Sequence, residues 1–234
     1  VEAQQVMPVF VSGIVKHTSD EGLNLPDDVI GDIKARMSER KALAARIPKT
    51  ARLSSTFLNR RLKNLMYNEL HSIDTSVEAL DMLKLIVANS EVMLTRGMNL
   101  GGIITMGEYL RTRGNKVDFV KLDGWLTALQ LHGMAELQGN VLISVFGFEQ
   151  DELPFVARTD QKAYRLTLRS VSDLAKDTAQ EWHFRQNSAG FVQNNNAVLR
   201  RNLSRSLRYM GYAPVETTSN FFHNFVRSLS EIEE

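Results

Sequence analysis

The sequence contains no cysteine among its 234 residues. This absence excludes disulfide bonds, thiolate metal ligands and cysteine nucleophiles, and it gives no support to a secreted fold stabilised by disulfides. A reducing compartment is therefore the easier fit for this chain.

Neither sign of charge is in excess, because 28 lysines and arginines face 27 aspartates and glutamates. Any electrostatic function must therefore come from local clustering rather than from net charge. Long apolar runs are also lacking: the stretch 82–88 contains Lys84 and falls far short of the roughly 20 residues that cross a bilayer. We expect no membrane partner, while an apolar fraction of 43% is ample for a packed core.

The motifs of common catalytic and cofactor sites are missing as well. There is no Gly-x-x-x-x-Gly-Lys-Ser/Thr loop, no Gly-x-Gly-x-x-Gly and no Gly-x-Ser-x-Gly elbow. The histidines lack the paired spacing of a zinc site; they are His17, His71, His132, His183 and His223. We predict no catalytic residue, no metal site and no cofactor, although carboxylates from distant positions can still converge in space.

Apolar residues at helical spacing dominate what is present, and they predict a mainly α fold with a bundle-like body. The predicted helices cover residues 26–47, 55–70, 76–96, 105–114, 118–132, 170–187, 195–210 and 219–231. Thr-x-x-Glu sequences at 75–78 and 105–108 match capping boxes at helix starts. Gly97 is expected to end the central core helix, and Gly101 and Gly102 predict a flexible connection after it.

The order helix, turn, helix, hairpin indicates a winged-helix unit over residues 103–148. Its short β-hairpin, near 135–146, is predicted from a Gly-Asn step between two apolar runs. The second helix of the unit is poor in basic side chains, and the presumed wing has no lysine or arginine. A packing or protein-contact role therefore fits this unit better than reading duplex DNA.

Four segments are expected along the chain. The most credible boundary is the acidic, proline-containing connection at 150–154. The segments are an N-terminal arm over 1–20, a helical domain over 21–149 that contains the winged-helix unit, a C-terminal helical domain over 150–216 and an amphipathic C-terminal arm over 217–234.

Two clusters of positive charge are hidden by the neutral total. Ten basic residues between 34 and 63 face a single acid, Glu39, and four arginines fall between 200 and 208. Cations beside aromatic rings suit a phosphate chain with stacking bases, although an ordinary surface helix also shows a charged face. The candidate nucleic-acid-binding residues are Arg52, Arg60, Arg61, Lys63, Tyr67, Arg200, Arg201, Arg205 and Arg208.

Both ends of the chain carry apolar residues that need a surface to cover them. Each segment packs either on the body of its own chain or on a neighbouring copy, and a head-to-tail contact that does not close produces a filament. The candidate assembly residues are Val9, Phe10, Phe222, Phe225 and Leu229.

These features favour a non-enzymatic packaging protein of the viral nucleocapsid or coat type. It would hold the backbone of single-stranded nucleic acid, RNA in preference to DNA, in a basic groove and bind copies of itself through its terminal arms. The alternatives are a winged-helix DNA-binding regulator or protein adaptor, and an enzyme whose site is assembled from distant residues. We expect a virion or host-cytoplasm location if the protein is viral, and a cytoplasmic one otherwise.

Overall fold

The computed structural model describes residues 35, 38, 41–98, 100–169, 204 and 207–230, with the backbone alone at residues 224 and 227–230. The chain divides into two compact units, residues 1–45 and residues 46–234. In the first unit, residues 41–45 are helical and Leu43 is buried. The second unit contains most of the described elements, and the predicted boundary at 149/150 falls inside it.

The described part of the second unit is built from α-helices and contains no β-strand. The helices are α1 (Thr56–Leu70), α2 (Val77–Thr95), α3 (Leu100–Arg113), α4 (Phe119–Ala128), α5 (His132–Phe146), α6 (161–169) and α7 (Pro214–Ser230). Short 3₁₀ turns cover Gly114–Lys116 and Gln150–Glu152, and residues 207–209 are helical just before the turn that precedes α7. The prediction of a mainly α fold is therefore confirmed.

Helix α2 is the central helix of this unit. It contacts α1, α3, α4, α5 and α7, so apolar side chains on nearly every side of it are buried. The predicted core helix over 76–96 is confirmed, and Gly97 ends it with a φ of 102°, a value that glycine adopts without strain.

The start of α2 is held by the end of α1 rather than by the predicted capping box at 75–78. Ser76 makes no side-chain cap; instead, its amide donates to Glu69 Oε1 over 2.8 Å. The hydroxyl of Thr75 donates to the backbone oxygen of Glu69 over 2.9 Å. These two bonds fix the turn between α1 and α2.

Helix α3 begins earlier than predicted, at Leu100, and takes in both Gly101 and Gly102. The predictions of a flexible connection and of a capping box at 105–108 are wrong, because Thr105 lies inside the helix and its hydroxyl donates to the oxygen of Gly101 over 3.0 Å. Burial of apolar side chains on α3, such as Ile103, offsets the roughly 1 kcal/mol that each helical glycine costs relative to alanine.

Residues predicted as a β-hairpin near 135–146 form α5, so the predicted winged-helix unit is wrong. Helix α4 ends at Ala128, and the turn before α5 contains Gln130 with a φ of 55°. The apolar runs beside Gly139 and Asn140 are buried at helical spacing, which short runs do not distinguish from strand spacing.

A buried polar cluster joins α5 to α2. Gln138 is fully buried, and its Nε2 donates to the oxygen of Ile86 and to Ser90 Oγ, each over 3.1 Å. Its Oε1 accepts from Asn89 Nδ2 over 3.1 Å. Since the side-chain amide of Gln138 is hydrogen-bonded at both ends, its burial leaves no orphaned polar atom and sets the register between the two helices.

Helix α7 starts at Pro214, five residues before its predicted start. The carboxylate of Glu216, only 1% exposed, accepts from the amides of Ser54 and Ser55 just before α1. Asn220 Nδ2 donates to the oxygen of Leu94 over 3.2 Å. The first turns of the predicted C-terminal arm therefore pack on their own chain.

The close packing at Gly139 leads to a stability prediction. A Cβ at this position would overlap Val156 Cγ2 and lie 3.1 Å from Phe155, so we expect G139A to lower the free energy of unfolding by about 1–3 kcal/mol. The control is G124A on α4, where a Cβ meets nothing within 4 Å and alanine should add about 0.5–1 kcal/mol. Urea denaturation measures both, and a G139A variant as stable as wild type would contradict this packing.

Candidate nucleic-acid interface

A positively charged groove lies between α6 and the turn that precedes α7. Its volume is about 550 Å³. It is lined by Asp160, Lys162, Arg165, Leu166, Arg169, Arg208, Gly211 and Tyr212, and we call this set the basic groove. Four of these side chains are cationic and one is acidic, so the groove has a local excess of positive charge that the neutral whole chain conceals.

Helix α6 brings three of the cations together. Lys162, Arg165 and Arg169 are all exposed and are separated by three and four residues, which places them on one face of the helix. Asp160 caps this helix, because its Oδ1 accepts from the amide of Lys162 over 2.8 Å. Like charges at this spacing repel one another, so an anion in the groove would relieve the repulsion.

Helix α5 fixes the start of α6. Asn140 Oδ1 accepts from the amide of Asp160 over 2.6 Å, and Asn140 Nδ2 donates to the oxygen of Arg158 over 3.1 Å. Asn140 thus bonds the connecting chain on both sides of residue 159. Asn140 therefore helps to fix the orientation of α6 and the direction of its cations.

Tyr212 forms the aromatic part of the groove. Its hydroxyl donates to Asp160 Oδ2 over 3.4 Å, and burial together with the negative charge of Asp160 raises the pKa of Tyr212. Its backbone lies so close to α5 that a Cβ on Gly133 would come within 2.5 Å of its oxygen. The glycine at 133 therefore permits the approach that places Tyr212 beside Asp160.

A second, smaller hollow adjoins the basic groove at Tyr212. Its volume is about 330 Å³; it shares Asp160, Lys162 and Tyr212 with the basic groove and adds Glu136, Arg158 and Thr159. Two acids and two cations line this hollow, so the excess of positive charge is confined to the basic groove.

The described residues of the two predicted basic clusters do not all line the basic groove. Arg208 lines the basic groove, whereas the candidates of the first cluster that are described do not line it; they are Arg52, Arg60, Arg61, Lys63 and Tyr67. All five are exposed. The remaining candidates, Arg200, Arg201 and Arg205, lie outside the described residues.

Two of the first-cluster residues make contacts within the chain. Arg61 donates to the oxygen of Ala128 over 2.7 Å, and its guanidinium lies 5.0 Å from the ring centre of Phe57. The ring of Tyr67 lies 4.2 Å from that of His71. Arg61 thus joins α1 to the end of α4.

Lys162, Arg165 and Arg169 were not among the residues predicted from the sequence. They are spread over eight positions with leucines between them, so they do not form a dense basic run. The available signal was their spacing of three and four residues after Asp160, which predicts a capped helix with one cationic face.

The candidate assembly residues are described only in part. Phe222 is 59% exposed, and Phe225 is half-buried with its ring centre 6.1 Å from that of Phe221. The side chain of Leu229, and all of Val9 and Phe10, lie outside the description.

A second groove lies between α1 and α4, which we call the α1–α4 groove. Its volume is about 660 Å³, and it is lined by Arg61, Asn64, Leu65, Asn68, Glu69, Ser72, Trp125 and Ala128. Two contacts join its walls: Lys121 Nζ lies 2.9 Å from Glu69 Oε1, and Arg61 donates to the oxygen of Ala128. Trp125 lies between these two contacts in the sequence of α4.

Glu69 is charged in spite of its small exposure. Burial by itself would raise the pKa of Glu69, but the amide of Ser76 and the ammonium of Lys121 together lower it below its ordinary value of 4.5. The same hydrogen bond to Glu69 raises the pKa of Lys121. Each partner therefore stabilises the charged form of the other.

No group of histidine, aspartate and glutamate side chains in the described segments is arranged to hold a metal ion. Within the same segments, no helix has both the length and the apolar character needed to cross a membrane.

The lowered pKa of Glu69 predicts a loss of stability in acid. Its stabilising contribution is complete above the unfolded pKa, near 4.5, and is lost as the pH falls through the lower folded pKa. In urea denaturation at about pH 6 and about pH 3, we expect E69Q to lose less stability than wild type. The control, E91Q, changes an exposed carboxylate on α2. If E69Q and E91Q show the same acid dependence as wild type, the Lys121–Glu69 contact does not stabilise the fold.

Comparison of this chain with protein-family models, with curated proteins and with solved structures found no match in any of the three.

Proposed function

We propose that this protein is a non-enzymatic packaging subunit, of the nucleocapsid or coat type, that binds the backbone of single-stranded nucleic acid and assembles with copies of itself. The observation that supports this proposal most strongly is the basic groove. It collects Lys162, Arg165, Arg169 and Arg208 from two separate parts of the chain beside the half-buried ring of Tyr212.

The chemistry of the basic groove suits phosphate groups. Arginine has a planar fork of N–H donors that bonds two phosphate oxygens at once, and three of the four cations are arginines. Cations that contact phosphates bind nucleic acid independently of its sequence, which is what a packaging protein requires. A base that leaves its stack can lie against an aromatic ring such as that of Tyr212.

Single-stranded RNA is the substrate that we favour. The residues expected to form the wing of a winged-helix unit belong to helix α5, so the hairpin on which binding to duplex DNA was predicted is absent there. A protein can distinguish RNA from DNA by a hydrogen bond to the 2′-hydroxyl of the ribose. The side-chain hydroxyls of Tyr212 and Thr159 lie beside the cations and could accept such a bond.

Self-assembly is supported by uncovered apolar side chains on α7. Phe222 and Val226 are 59% and 62% exposed and lie one turn apart, while Glu216 and Asn220 attach the same helix to its own chain. We propose that this exposed pair packs on a second copy. If α7 of each copy packs on a different surface of the next copy, and the contacts do not close into a ring, the copies form a filament.

A variant of α6 tests the basic groove. We expect K162Q/R165Q/R169Q to bind single-stranded RNA more weakly and to flatten the slope of log affinity against log salt by about 2, because about 0.7 of a counterion is released per phosphate contact. Fluorescence anisotropy with a labelled oligonucleotide at several salt concentrations measures both quantities.

The matched control is R96Q/R111Q/K116Q, which removes three exposed cations that neither line the groove nor belong to the basic residues of 34–63. An equal loss of slope in both triple variants would show that binding follows total charge, and an unchanged slope in the α6 variant would exclude the groove as the binding site.

A second pair of variants tests assembly through α7. We expect F222S/V226S to shift the protein from large particles to small species, because contact between copies would no longer bury these apolar groups. Sedimentation velocity gives the size distribution. V120S/V145S removes exposed apolar side chains elsewhere, on α4 and α5, and should leave it unchanged. If F222S/V226S assembles like wild type, the exposed pair is not the contact between copies.

A further inference from the structure

The α1–α4 groove differs chemically from the basic groove. Its polar wall comes from α1, where Asn64 and Asn68 lie one helical turn apart and are exposed. Its aromatic wall comes from α4, in the form of the half-buried ring of Trp125. Amide groups opposite an indole ring suit a flat, uncharged ring with hydrogen-bonding edges.

The charges of this groove are already paired or directed elsewhere. Glu69 Oε1 accepts from both Lys121 and the amide of Ser76, and Arg61 donates to the oxygen of Ala128. The charge of Glu69 is therefore balanced by Lys121, while Arg61 keeps its positive charge where it bonds to Ala128. A phosphate would meet one cationic lining side chain here, Arg61, against four in the basic groove. An uncharged heterocycle could lie beside Trp125 without separating the Lys121–Glu69 pair.

The two amides supply the groups that recognise a base edge. Each carboxamide carries one acceptor oxygen and two N–H donors, and neither Asn64 nor Asn68 makes a side-chain hydrogen bond within the described residues. Adenine and other bases present adjacent donors and acceptors that a carboxamide matches in pairs. The groove thus combines a stacking surface with base-edge partners, which is the usual basis for recognising unstacked bases in RNA.

We propose that the α1–α4 groove binds a single nucleobase, which stacks on Trp125 and forms hydrogen bonds with Asn64 and Asn68. This inference rests on the proposed function: the basic groove binds the phosphate backbone of a strand, and the α1–α4 groove binds one of its bases. The walls are held in place before binding by the Lys121–Glu69 and Arg61–Ala128 contacts, so little ordering is needed when the base enters.

Tryptophan fluorescence tests this site independently of the phosphate backbone. The chain has two tryptophans, so a W182F background leaves Trp125 as the only indole. We expect adenosine and the other uncharged nucleosides to quench this fluorescence with saturation, while ribose 5-phosphate leaves it unchanged. N64A and N68A should each weaken nucleoside binding by about tenfold, the scale of losing one good base contact.

The matched control is N115A, which removes an exposed asparagine in the 3₁₀ turn Gly114–Lys116, outside the groove. It should bind nucleosides as the parent does. Equal affinity of the parent, N64A and N68A would overturn the base site, as would quenching by ribose 5-phosphate alone.

The test of the base site can fail or succeed independently of the test of the basic groove. K162Q/R165Q/R169Q should retain nucleoside quenching while losing affinity for oligonucleotides. If nucleosides fail to bind the parent protein but oligonucleotide binding still depends on the α6 cations, the base site is wrong and the proposed function stands. If nucleosides bind at Trp125 but oligonucleotide affinity is independent of those cations, the base site stands and the basic groove is wrong.

Discussion

The buried hydrogen bonds of Gln138 set the position of α5 on the central helix α2, and both sides of the basic groove depend on that position. An unpaired amide in the core would cost about 1–3 kcal/mol, so only the register that pairs Gln138 with Asn89, Ser90 and Ile86 is stable. Sliding α5 along α2 would break these bonds together. The buried polar cluster thus selects one arrangement of helices that apolar packing alone would leave less well defined.

Helix α5 also contacts both sides of the basic groove. Asn140 bonds the chain around Asp160 and so orients α6, while the bare surface of Gly133 lets the backbone of Tyr212 approach. Asp160 then joins the two parts, since it caps α6 and accepts from the hydroxyl of Tyr212. The cations of α6 and the aromatic ring come together because both are attached to the same helix.

Under the proposed function, the two grooves divide the tasks of holding a nucleic acid chain. The basic groove has four cationic side chains suited to phosphates, whereas the α1–α4 groove has one, Arg61, and offers amides and an indole ring. Glu69 and Asp160 belong to the structural contacts of their grooves rather than opposing a ligand. A chain with almost no net charge can therefore present one groove rich in cations and another lined by amides and an indole ring.

The sequence by itself determined the features that depend on near neighbours: the helical class, helix α1, the central helix α2 with its end at Gly97, and the absence of common catalytic motifs. Only the tertiary structure decided that residues near 135–146 are helical. Gly139 lies too close to Val156 for a larger residue, and Gln138 accepts a hydrogen bond from Asn89; both partners are distant in the sequence. The same holds for the basic groove. Arg208 was recognised from the sequence, but its neighbours Lys162, Arg165 and Arg169 are almost 40 residues or more away from it, and local patterns carry no information about which distant segments meet.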